Sequence, residues 1–194
     1  MYKLCKTEQS ARRQRMLEEG LLRLMMQKRY EEISISELCE EMQIPRKSFY
    51  RYFSGKDGAL YALIDHTMMD YESFAQPRRA DRQRTLESDM LRFFTFWKEK
   101  KSLLDALERS GMSSMLVERS IHHALEETSG LQRFLPVEYR GMSKHVILFS
   151  VCGLMTIALD WHQTGYQESP ERLAKIACRL LSAPLFPNVE SWHM

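Results

Sequence analysis

Apolar positions in this chain recur at helical spacing rather than in strand alternation. Leu17, Leu21, Leu24 and Met25 fall at i, i+4, i+7 and i+8, which predicts a first helix over 8–28. A second helix opens at Ser34, where Ser34 and Glu37 have the spacing of a capping box and Ile33 can staple onto Leu38. Its inner face is Ile35, Leu38, Cys39 and Met42. Pro45 forces Ile44 out of helical geometry, so the second helix must stop before it. A third helix follows over 45–52, since proline suits a first turn. At 100° per residue, Arg46, Lys47, Tyr50 and Arg51 share one side of that helix, and Phe49, Tyr52 and Phe53 share the other.

Ser54 and Asp57 signal another start at Gly55, and Leu60, Leu63, Ile64, Met68 and Tyr71 form the core stripe of a fourth helix. The segment 76–81, Gln-Pro-Arg-Arg-Ala-Asp, breaks the pattern and marks a domain boundary. Further helices are expected near 83–100, 102–110, 112–128, 138–164 and 170–183, the last announced by Ser169-Pro170-Glu171 and striped by Leu173, Ile176, Ala177, Leu180 and Leu181. With 8 Gly and 6 Pro in 194 residues and no β-branched runs, the fold class is all-α. The organisation is a helical unit over 1–56, a connecting helix over 55–73 and a second helical unit over 74–194.

Charge sharpens the picture. Residues 1–56 carry 12 Lys/Arg against 8 Asp/Glu, whereas the rest carries 16 against 18. A basic front on a slightly acidic body suits a polyanionic partner, although the excess alone is modest. The four cysteines, Cys5, Cys39, Cys152 and Cys178, lie far apart, and Cys39, Cys152 and Cys178 sit in apolar patterns. They are expected to be reduced core residues in a cytoplasmic protein, with no metal site. His122 and His123 are adjacent, so they project to different sides of a helix and are expected to be exposed. The start of the chain lacks the apolar run of a signal peptide, and the stretch 146–161 is interrupted by Ser150, Cys152, Thr156 and Asp160 and short for a bilayer span. No G-x-S-x-G, G-x-x-x-x-G-K-[ST], G-x-G-x-x-G or H-E-x-x-H motif occurs, so neither an enzyme nor a cofactor is expected.

Two short helices joined by a tight turn, the second bearing cations on an outward face, are how a helix-turn-helix presents itself to DNA. The run Ile44-Pro45-Arg46-Lys47-Ser48-Phe49-Tyr50-Arg51-Tyr52-Phe53, followed by Lys56, Asp57 and Leu60, resembles the TetR family of bacterial transcriptional regulators over 10–65. The Arg-x-Ser-Phe-Tyr form is similar to the branch that includes dihydroxyacetone-kinase regulators, and Trp-x3-Gly-x4-Ser-Pro-Glu-x-Leu at 161–173 resembles effector domains of that kind. Arg29 stands where many members have Gly, and Met42-Gln43 where they have Ala-Gly. Gln43 must therefore end the second helix without glycine's freedom at positive φ, at a cost of about 1 kcal/mol.

Arg46 and Lys47 can reach guanine edges or phosphates, and Tyr50 and Tyr52 offer hydroxyls to phosphate and flat faces to thymine methyls. Arg51 shares their side of the helix. The resemblance implies that Lys56 meets a phosphate at the start of the fourth helix, and that Ser34, Ser36 and Ser48 touch the DNA backbone. Ser34 is first a helix cap with phosphate contact a second role, Tyr52 is equally a packing residue, and Arg12, Arg13 and Arg15 are at least as much a solvated charge run as a grip on flanking phosphates. The expected partners are a double-stranded, near-palindromic operator and a second copy of the chain, with no membrane. The family's dimer seam points to Phe149, Ser150, Gly153, Ile157, Trp161, Leu173, Ile176 and Leu180, the alternative being that both helices are monomer core. A small-molecule effector cavity, again implied by the family, would be lined by Phe93, Phe94, Phe96, Trp97, Met112, Met115, His145 and Met155, unless these rings are plain core. The function implied is a transcriptional regulator, a repressor, with a fold-sharing coactivator that needs no effector pocket as the alternative.

Overall fold

Thr7 opens the first helix by accepting a hydrogen bond from the Ser10 amide, 3.2 Å away. A computed structural model describes residues 1–3, 5, 7–75, 85–126 and 143–182. Among these residues there are nine α-helices, with a single isolated β-bridge and no strand. They are α1 (Glu8–Met25), α2 (Ile35–Glu41), α3 (Arg46–Phe49), α4 (Lys56–Ala75), α5 (Leu86–Glu99), α6 (Lys101–Arg109), α7 (Ser113–Glu126), α8 (Ser143–Gln163) and α9 (Pro170–Ser182). A 3-10 turn at Tyr30–Glu32 joins α1 to α2. The all-α reading is correct. The boundary expected at 76–81 lies outside the described residues.

The apolar stripe of α1 buries Leu17, Leu21, Leu24 and Met25 against α2, α4 and α6. Gly20 allows the close approach, because a Cβ there would lie 2.3 Å from the Met42 sulfur. The longest contact partner is α4, which packs on α1, α5 and α7 and buries Leu60, Leu63, Ile64 and Met68. Tyr71 completes its stripe against the rings of Phe93 and Phe96. On α5, Met90, Phe93, Phe94, Phe96 and Trp97 are all buried. The most extensive packing lies between α5 and α9, followed by α7 against α8.

Polar links tie the layers together. The Arg119 guanidinium of α7 makes an ion pair with the buried Asp65 carboxylate of α4. Arg15 of α1 pairs with Asp70 at 2.9 Å. Glu18 of α1 meets His66 Nδ1 at 2.8 Å, and burial lifts that carboxyl above its usual range against the pull of the imidazole.

Several expectations need correcting. Phe93, Phe94, Phe96 and Trp97 are buried and stack edge-on among themselves, and Phe94 stands edge-on to Trp161. Met155 is buried with them, Met112 and Met115 are half-buried, and His145 is exposed. A crevice of about 230 Å³ does exist between α1, α4 and the α5–α6 junction, bordered by Arg15, Glu18, Asp70, Glu99, Lys100 and Leu103 among others. None of the expected lining residues borders it.

Trp161 and Leu173 are buried within the single chain, where the Trp161 indole donates to the Glu168 carbonyl at 2.9 Å. The other expected seam residues divide differently. Phe149 is 67% exposed, Ile176 40% and Leu180 38%; Gly153 is open, and Ser150 and Ile157 are half-buried. Cys152 is exposed rather than core, while Cys39 is buried and Cys178 half-buried; all four cysteines are free thiols. His123 is half-buried and meets Glu72 at 2.8 Å, so it is not the exposed residue expected. Finally, α8 has 21 residues and is long and apolar enough to cross a membrane by length and composition, more than its interrupted run suggested.

Candidate nucleic-acid interface

Helix α2 begins as its sequence dictates. Ser34 Oγ accepts from the Glu37 amide at 3.1 Å, while Ile33 and Leu38 are buried as the staple requires. The Glu37 carboxylate turns to Lys28, which donates at 2.6 Å and holds it below the usual glutamate range. The helix ends in a left-handed cap. Gln43 has φ 52°, its amide donates to the Glu40 carbonyl at 3.0 Å, and the Ile44 amide donates to the Cys39 carbonyl at 2.9 Å. That pair of bonds is a Schellman motif with glutamine where glycine is usual.

Pro45 caps α3, which is α-helical only over Arg46–Phe49 and not over the eight residues expected. The next turn continues through bonds that span three residues, from Arg51 N to Ser48 O and from Tyr52 N to Phe49 O, until Phe53 N reaches Phe49 O at 3.1 Å. Phe49 and Phe53 are fully buried, their rings 5.1 Å apart, and they pin the rod to the core. The opposite side carries Arg46, Lys47, Tyr50 and Arg51, all exposed, with Tyr50 at 44%. Among the described residues no hydrogen bond or ion pair ties down those four side chains. A short rod with three unpaired cations and a phenol on its outer side can neutralise phosphates and reach base edges.

The remaining expected contacts sit differently. Ser34 is exposed but engaged as a cap; Ser36, Ser48 and Tyr52 are half-buried, with Tyr52 packed beside Phe53. Lys56 is the main departure. Its ammonium donates to the Tyr30 carbonyl at 2.6 Å and the Ile33 carbonyl at 2.7 Å, and lies 4.2 Å from the centre of the Tyr30 ring. Desolvation pushes its pKa down. The expected phosphate ligand is thus turned inward, where it clamps the turn before α2 onto α4. Tyr30 completes the clamp by donating to Asp57 at 2.6 Å, and burial foremost raises its phenol. Of Arg12, Arg13 and Arg15, Arg15 is held by Asp70, Arg12 is exposed but paired with Glu8, and Arg13 is exposed.

Sequence patterning did not show the contact of Met1–Lys3 with the end of α3. Tyr2 bridges Phe53, and the Lys3 amide donates to the Tyr52 carbonyl at 2.9 Å. Three residues carry no periodicity that would reveal such a pairing.

Residues 19–63 match the family model of bacterial regulatory proteins of the tetR family. The fold is similar to a tetR-family transcriptional regulator from Streptomyces coelicolor, with TM-score 0.59 and 23% identity over 87% of this chain and 80% of that one. It is also similar to the dihydroxyacetone kinase operon activator DhaS (TM-score 0.57, 14% identity, 87% of this chain and 93% of that one). The fatty acid degradation regulator FadR from Bacillus halodurans aligns over 94% of this chain and 98% of its own length, with TM-score 0.56 and 14% identity. No protein of curated function matches the chain in sequence. The helix-turn-helix head thus matches the tetR family of bacterial regulatory proteins, and the all-helical fold around it is one that tetR-family regulators share.

Proposed function

We propose that this regulator is a cytoplasmic repressor that binds a near-palindromic operator as a homodimer, reading bases with α3. The observation that carries the reading is the outer side of α3, where Arg46, Lys47, Tyr50 and Arg51 are exposed and unengaged while Phe49 and Phe53 hold the backbone rigid. Arg46 and Lys47 serve guanine edges or phosphates, Tyr50 and Arg51 the adjoining backbone, and Ser34, Ser36, Ser48 and Tyr52 the flanks. Two heads are required because one short helix buries little DNA surface. The exposed apolar side chains of α8 and α9 supply a face for the second copy rather than for lipid.

Effector control belongs to the crevice at α1, α4 and the α5–α6 junction. It touches both the reading head and the body, so a small molecule seated there would favour one head spacing over another. A second reading, an activator without an effector pocket, draws support from the ring-packed body and from the fold it shares with a protein named as an operon activator.

Selection of bound sequences from random DNA yields the operator, and binding is then compared between the wild type and Arg46→Ala/Tyr50→Ala. Each lost contact is expected to weaken binding by about 1–3 kcal/mol per half-site, with a shallower dependence on salt. Equal retardation of the operator by the variant would overturn the site. Failure of the wild type to select any DNA would favour a protein-only role.

A further inference from the structure

The segment ahead of α1 does not trail away from the fold. The Met1 carbonyl accepts from the Ser54 amide at 3.1 Å and from the Ser54 hydroxyl at 2.8 Å. Tyr2 pairs with Phe53 in an antiparallel bridge, and the Lys3 amide donates to the Tyr52 carbonyl at 2.9 Å. These bonds lay the segment along the stretch where α3 hands over to α4.

Side chains hold it in place. The Tyr2 hydroxyl donates to Asp65 at 2.9 Å, and its ring stands edge-on to His66 at 5.8 Å. Asp65 is itself gripped by Arg119 of α7, so this anchor is rigid. Gly58 makes room, because a Cβ there would sit 2.5 Å from the Met1 carbonyl oxygen. A backbone bridge, a half-buried phenol anchor and a glycine notch together form a built seat.

Lys3 is fixed by its own amide at the C-terminal end of the reading rod, while its side chain is exposed and makes no bond among the described residues. Its partner Tyr52 directly follows the exposed Arg51, whose proposed target is DNA. We propose that the segment Met1–Lys3 is a second DNA-contacting element, in which Lys3 meets a phosphate flanking the bases read by α3 and Tyr2 holds it there. The inference rests on the operator-binding reading above.

The experiment measures operator affinity across a salt series for wild type, Lys3→Ala, Lys3→Arg and Tyr2→Phe, with amide exchange at Ser54 as a structural readout. Loss of one phosphate contact is expected to reduce the log–log salt slope by about 0.9 per subunit in Lys3→Ala. Lys3→Arg should restore the slope, and base preference should not change in either variant. Tyr2→Phe should weaken binding in the same direction and speed exchange of the Ser54 amide. An unchanged slope and affinity in Lys3→Ala, on DNA that the wild type retards, would overturn the proposal and leave the segment a structural strap. A wild type that retards no DNA would instead sink the operator reading itself, and this inference with it.

Discussion

Gln43 shows how much one side chain can be asked to tolerate. With φ 52° it occupies a left-handed conformation that costs most residues about 1 kcal/mol, and the Schellman bonds on either side hold it there. Gln43→Gly should therefore raise stability by about 1 kcal/mol, less whatever the added freedom of glycine gives the unfolded chain. Urea unfolding checks this, and a lower midpoint in the variant would show that the glutamine side chain contributes something glycine lacks. Its position was legible because Pro45 sets the limit of α2 and the chain offers no glycine to turn it. The exposure of Arg46, Lys47, Tyr50 and Arg51 was legible too, since 100° steps around a rod pinned by Phe49 and Phe53 leave those four outside. Lys56 was not. Helical spacing gives a direction for the Cβ, but a four-carbon stem can bend its charge back to carbonyls on another segment.

That clamp acts between elements. Lys56 satisfies the Tyr30 and Ile33 carbonyls and so joins the turn before α2 to the first turn of α4. Lys56→Met should leave two part-buried carbonyls without these donors and destabilise the protein by about 1–3 kcal/mol. Chemical denaturation measures this, and an unchanged midpoint would mean that water replaces the ammonium at no cost. Elements with strong end signals matched their expected positions well: Ser34 before α2, and Pro170 beginning α9 with Ser169 accepting from the Arg172 amide at 3.2 Å. Helix α3 came out shorter than expected because its last turn tightens to bring Phe53 into the core and Ser54 onto the Met1 carbonyl, a pull exerted by distant residues.

Across the whole protein, α8 and α9 present apolar side chains in two directions. Trp161 and Leu173 face their own chain, while Phe149, Ile176 and Leu180 face outward. Large exposed apolar side chains such as these are what a proposed second copy would cover. Phe149→Asp with Ile176→Asp should convert a dimer into a monomer at micromolar concentration, as read by sedimentation velocity. Persistence of the dimer would move the interface elsewhere.

Helical periodicity, caps, proline stops and the basic bias of the front end are local properties, and they sufficed to establish an all-α chain, a helix-turn-helix and the outward side of its second helix. Which apolar stripe meets its own chain, whether a group of rings encloses space or fills it, and where a long cation or a short leading segment comes to rest all depend on helices far apart in sequence docking against one another. Those outcomes follow from close packing between surfaces that no single stretch of chain contains.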